Sequence, residues 1–140
     1  MSKLIEEFKS EHAALVSLLI EIKRLDVHSK ETRIKLLKAK NHLLTHLEKE
    51  DHNLYPVLRK ASEGSHNIKR KLTHFGRDME DITGFVRYFF RRLENESYTP
   101  PEFSHDFSQL LSLLLGRISR EENILYPMYE EYLYQKTILA

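Results

Sequence analysis

Apolar residues recur at alternating steps of three and four along four segments of the chain. Wound as an α-helix, each segment presents one apolar stripe to a neighbour. The first stripe runs Ile5, Phe8, His12, Leu15, Leu19, Ile22, and the second Leu36, Ala39, Leu43, His46, Glu50, Leu54, Val57. The third reads Leu72, Phe75, Met79, Ile82, Val86, Phe89, Leu93. The fourth reads Phe107, Leu110, Leu114, Arg117, Glu121, then Ile124 or Leu125, then Met128. Polar side chains therefore enter three of the four stripes where a core is expected. The spacing predicts helices over approximately 2–25, 30–61, 66–94 and 101–135.

The punctuation agrees. Asp26-Val27-His28-Ser29 can end one helix and cap the next, Gly64-Ser65 offers a stop followed by a cap, and Pro100-Pro101 marks the last break. Short connections favour antiparallel neighbours, so the expected fold is all-α: an antiparallel up-and-down four-helix bundle in a single domain, 1–140. Pro56 and Pro127 fall inside or near the ends of helices, where each removes a backbone donor and should kink or terminate the last turns. They belong to an internal echo. His46-Leu-Glu-Lys-Glu50-Asp-His-Asn-Leu54-Tyr55-Pro56 recurs as Arg117-Ile-Ser-Arg-Glu121-Glu-Asn-Ile-Leu125-Tyr126-Pro127, so the second and fourth helices read as corresponding parts of a pseudo-symmetric bundle.

Composition narrows the chemistry. The 140 residues contain no cysteine, which excludes thiolate metal sites, disulfides and cysteine nucleophiles. With 22 basic and 21 acidic side chains the formal charge is +1, which disfavours nucleic acid as a partner. The basic residues along the third helix, among them Lys69, Arg70, Arg77, Arg87 and Arg91, read as a solvated face. The N-terminus lacks the apolar run of a signal peptide and no stretch is apolar enough to span a bilayer, so a cytoplasmic location is expected. Phosphate loops and nucleophile elbows are absent, which argues against an organic-cofactor enzyme.

What remains is the polar set on the stripes. His46 and Glu50, four residues apart, lie one above the other on a helical face, and His12 and Glu121 can join them from facing helices. Imidazole nitrogen with carboxylate oxygen suits iron, manganese or zinc, and a carboxylate on an apolar seam needs a cation or hydrogen-bond donors. His74 and Asp78 form a weaker candidate pair one step off the third stripe. His28, His42, His52, His66 and His105 read as surface residues or exposed helix flanks. The tyrosines near the C-terminus read as packing for a bundle end, and an exposed subset leaves room for a homodimer or another protein partner.

These motifs resemble the hemerythrin-like, or HHE cation-binding, family over nearly the full length. The matching residues are Glu-His12-Ala-Ala-Leu on the first helix, His46-x-x-x-Glu50-Asp-x-x-Leu-Tyr-Pro on the second, and Glu121-Glu-x-x-Leu-Tyr-Pro on the fourth. The resemblance implies a non-haem, usually di-iron, site that handles oxygen or senses iron or oxygen. Two positions depart from it. Met79 stands where the family places a histidine on the third helix, and a thioether is a poor ligand for oxidised iron. Arg117 stands where the fourth helix should open with a histidine, and a guanidinium cannot ligate. Arg117 is expected instead to pair with the buried carboxylates Glu50 and Glu121 in place of a metal. The expected function is a binding or sensing module with a depleted iron site that takes iron weakly, singly or not at all. The alternatives are a metal-free bundle acting through its surface, or, less favoured, an intact di-iron redox protein.

Overall fold

The computed structural model describes residues 2–139; Met1 and Ala140, the ends of the expected domain, lie outside the described residues. Every element among them is helical. α1 spans Lys3–Lys23, α2 Lys30–Asn53, α3 Tyr55–Glu63, α4 His66–Glu94 and α5 Pro100–Arg120; a π-helical turn over Glu121–Leu125 then leads into α6, Tyr126–Leu139. α2 with α3, and α5 with α6, each make one long bent rod, so four rods form the antiparallel bundle. α1 packs along α2 and α5, and α4 along α3 and α5.

Side chains supply the hydrogen bonds that each helix start lacks. The hydroxyls of Ser2, Ser29 and Ser65 accept the backbone N–H of Ile5, Thr32 and Ile68. Thr99 and Glu102 cap α5 reciprocally, with proline at its first positions. α4 closes in a Schellman-type turn, in which Glu96 N–H bonds Leu93 O and Ser97 N–H bonds Arg92 O. Glu96 takes the left-handed conformation there, at φ 52°, without being glycine.

The two Leu-Tyr-Pro steps bend their rods in different ways. Pro56 has no N–H for the carbonyl of His52, and the expected helix over 30–61 divides at Leu54 (φ −101°, ψ −58°) before continuing to Glu63. The break shifts the apolar stripe, so that Leu58 is buried and Val57 only half-buried. Before Pro127 the chain widens instead: the Tyr126 N–H reaches back to Glu121 O, five residues earlier, and relieves the crowding that proline imposes on a normal turn. That extra residue in the turn buries both Leu125 and Tyr126 and leaves Ile124 facing solvent, which decides between the two stripe positions.

Packing divides the interior in three. A large apolar cluster that includes Leu15, Leu36, Leu43, Phe89, Phe107 and Leu110 fills one end. A smaller one that includes Ile5, Phe8, Leu54, Leu58, Phe75 and Leu125 fills the other. Between them lies a buried polar layer of His12, His46, Glu50, Arg117 and Glu121. No helix among the described residues is long and apolar enough to cross a membrane.

Candidate metal centre

His12 comes from the middle of α1, His46 and Glu50 from successive turns of α2, and Glu121 from the first position of the π turn. The helical stripe that buries Phe8 and Leu15 also buries His12, and the same holds for His46 and Glu50 between Leu43 and Leu54. One ligand atom from each of the four residues lies within 4.8 Å of the other three. His46 Nε2 stands 3.3 Å from Glu50 Oε1, and His12 Nε2 3.4 Å from Glu121 Oε1. The two imidazole rings are 4.5 Å apart between centroids.

Both rings are held from behind by a carboxylate. Glu11 Oε1 accepts from His46 Nδ1 at 2.7 Å, and Glu122 Oε2 from His12 Nδ1 at 2.8 Å. Lys49 Nζ donates to the other oxygen of Glu11 at 2.5 Å and fixes that carboxylate in turn. A proton kept on Nδ1 leaves Nε2 facing the cluster, which is how second carboxylates orient histidine ligands. Tyr126 completes the wall: its hydroxyl donates to Glu50 Oε2 at 3.0 Å and lies 3.2 Å from His12 Nε2. Phe8 packs against the faces and edges of His46 and Tyr126.

Without a cation, protons must balance the carboxylates. Burial and the neighbouring Glu50 push Glu121 well above the ordinary carboxyl range, and the charges of Arg117 and His46 only partly oppose this. Burial acts in the same direction on Glu50, but the adjoining Glu121, the nearby His46 and the Tyr126 hydroxyl outweigh it and hold Glu50 below that range. His46 is raised above the usual imidazole value: burial opposes its charge, and the adjacent carboxylates Glu50 and Glu11 win. Burial, then the charges of Glu121 and Glu50, keep the Tyr126 phenol neutral far above its normal range.

The donor set fits a cation. His46 Nε2, Glu50 Oε1 and Glu121 Oε2 are each buried with no hydrogen-bond partner among the described residues. Three such orphans around one point would cost several kcal/mol together unless something satisfies them. Two nitrogen and two carboxylate donors are the chemistry of a borderline-hard divalent ion such as ferrous iron.

Arg117 is placed otherwise than its expected role requires. The guanidinium was expected to span Glu50 and Glu121, yet Glu121 is the only carboxylate within 4.0 Å of it among the described residues, at 3.7 Å from Nε. Its other nitrogens turn away, one donating to Phe75 O at 3.1 Å and one to the Tyr55 hydroxyl. The i, i+4 spacing brings Nε beside Glu121, while the Tyr55 hydroxyl and Phe75 O hold the rest of the fork. Met79, at the corresponding place on α4, is half-buried. The weaker pair stays outside the cluster: His74 is exposed, and Asp78 pairs with Arg120 at 3.2 Å, because both lie off the buried face of α4. His28, His42, His52, His66 and His105 are exposed.

Glu11, Glu122 and Tyr126 are the contributors that the stripes did not single out. Glu11 and Glu122 each sit one position from a stripe residue, where a side chain can reach around to the next helix. Their signal was adjacency, in Glu11-His12 and Glu121-Glu122, rather than periodicity.

A four-helix bundle with two histidines and two glutamates converging in its core belongs to the class of bundle-core cation-binding domains. The chain is a member of the hemerythrin family: the hemerythrin HHE cation-binding domain matches residues 3–129. No curated protein and no solved structure matches it.

Proposed function

We propose that this protein is a hemerythrin-type binding module that holds one divalent metal ion, iron in the family's manner, in place of a metal pair. The observation that carries the reading is the convergence of three buried, unpartnered donors, His46 Nε2, Glu50 Oε1 and Glu121 Oε2, with His12 Nε2 completing the set. His12, His46, Glu50 and Glu121 would hold the ion. Bound there, iron would supply a redox-active centre with affinity for small oxygen- or nitrogen-donor ligands. The protein's own part is to orient the imidazoles through Glu11 and Glu122, to fix Glu50 through Tyr126, and to keep bulk water out with Phe8 and the apolar cores. Met79 and Arg117 support one ion over two: one offers a soft thioether and the other a fixed positive charge 3.7 Å from Glu121. A site of this kind suits sensing or storage better than multi-electron catalysis, which needs a second metal or another electron source.

Anaerobic titration with Fe(II), followed by metal analysis after desalting, tests the reading. One iron per chain is expected, with a rise in the unfolding temperature because the ion binds only the folded state. Two irons per chain would restore the di-iron reading. No iron and no thermal shift would leave a metal-free bundle that works through its surface.

A further inference from the structure

We propose that the outward face of α2 is a dimer interface, on which a second copy of this chain lays its own α2 antiparallel. α2 is apolar on two opposite sides. Leu36, Ala39 and Leu43 are buried in the bundle, while Ile34, Leu37 and Leu44 are 56, 51 and 49% exposed. No other helix among the described residues exposes three large apolar side chains. Lys30, Ile34, Leu37, Asn41, Leu44 and Glu48, all exposed, follow one another at alternating steps of four and three, the seam of a two-helix coiled coil. On the helical wheel that seam is turned about 160° from the buried stripe, so it runs along the outer edge of the bundle.

Charge and register select the occupant and its direction. The seam is basic at its first residue and acidic at its last, with the aliphatic residues between. The charges to either side are already used within the chain, Arg33 on Glu96, Lys35 on Glu21, Lys40 on Glu94 and Lys49 on Glu11. Lys30 and Glu48 meet no opposite charge within 4.0 Å among the described residues. In an antiparallel pair related by a two-fold axis beside Ala39, Lys30 meets the partner's Glu48, Ile34 the partner's Leu44, and Leu37 the partner's Asn41, each contact occurring twice. A parallel pair would instead set Lys30 on Lys30 and Glu48 on Glu48. A slip of one heptad would set Ile34 against Asp51 or carry Leu44 past the start of the facing helix. Asn41 in the seam marks the register at some cost in affinity. Lys38 lies beside the axis, where two like charges hold the affinity down further. The overlap of about 19 residues is roughly 28 Å long and buries on the order of 1,000 Å², the low end for a specific interface, so a dissociation constant of about 10–100 μM is expected. The seam stands apart from the proposed metal reading, since none of its residues reaches the core.

Sedimentation equilibrium on the full chain, from about 10 μM to about 1 mM, tests this and is expected to show a monomer–dimer equilibrium within that range. Ile34→Glu and Leu37→Glu should each leave the chain monomeric throughout with unchanged helicity, since both side chains are exposed. Lys30→Glu alone and Glu48→Lys alone should each weaken the dimer about five- to thirty-fold, because like charges then meet at both ends of the seam. The two changes together should restore it. The chain has no cysteine, so a single engineered one carries one nitroxide label per copy. Labels on Lys38→Cys should lie within about 20 Å of each other and labels on Asp51→Cys more than about 30 Å apart, because the axis passes beside the first and 12 residues from the second. A parallel pair would bring both close. A chain that stays monomeric at the highest concentration, a dimer that survives Leu37→Glu, a double charge swap that associates no better than the single ones, or close labels on Asp51→Cys would each overturn the proposal.

Discussion

The first half of the bundle, α1 with α2 and α3, and the second half, α4 with α5 and α6, share a frame and differ in its contents. Glu11 on α1 pairs with Lys49 on α2; Asp78 on α4 pairs with Arg120 on α5 in the corresponding place. Glu50 corresponds to Glu121, and Leu54-Tyr55-Pro56 to Leu125-Tyr126-Pro127. The tyrosines even exchange partners across the bundle, Tyr126 reaching Glu50 and Tyr55 reaching Arg117. Inside that frame, however, the first half has His12 and His46 where the second has Met79 and Arg117. The outer ion pairs and the bends are properties of helix register and of proline, so they persist when the inner residues change. The inner residues decide the chemistry: two imidazoles with orphaned or oriented Nε2 atoms on one side, a thioether and a guanidinium on the other.

Removing the residue that both halves share should have the largest effect. Glu50→Ala takes away the partner of His46 and Tyr126 at a fully buried position, and should destabilise the fold by about 3 kcal/mol in urea unfolding while abolishing iron uptake. Retained uptake would remove Glu50 from the ligand set. Next, the double change Met79→His with Arg117→His makes the second half chemically like the first. Iron bound per chain, measured after anaerobic loading, should rise from one to two; a count that stays at one would mean that the shared frame does not extend to ligand geometry.

A finer contrast lies in the supporting carboxylates. Glu11→Gln should weaken iron binding by about 10- to 100-fold, because Glu11 orients a ligand imidazole, whereas Asp78→Asn should leave it unchanged, because Asp78 pairs with Arg120 outside the ligand cluster. Equal losses in competitive chelator titrations would show that both act through general stability. The smallest effect concerns the connections. The α1–α2 turn uses no left-handed residue, while the α4–α5 turn holds Glu96 at φ 52°. Glu96→Gly should therefore raise stability by about 0.5–1 kcal/mol, read from the denaturation midpoint.

Much of this was open to reading in one dimension. The first stripe matches the buried residues of α1 position for position, because a straight helix needs only its 3.6-residue period to choose a buried face. His12, His46, Glu50 and Glu121 were visible for the same reason: polar residues on a buried period stand out without any knowledge of neighbours. Periodicity fails where the helix itself changes. The sequence marked Pro56 and Pro127 as faults, yet the same Leu-Tyr-Pro step became a break at Leu54 and a π turn before Tyr126, since a freed carbonyl can be accommodated in either way and packing selects one. Those two outcomes set Val57 against Leu58 and Ile124 against Leu125.

The sequence by itself determined the bundle, its stripes and the identity of the four converging donors, all consequences of local helical period and of side-chain chemistry. Tertiary structure alone decided which partners those donors meet. The Arg117 fork met Phe75 O, Tyr55 and Glu121 but not Glu50, and Glu11 and Glu122 came around from off-stripe positions to orient the histidines. Each depends on distances between rods, which no pattern along a single chain encodes.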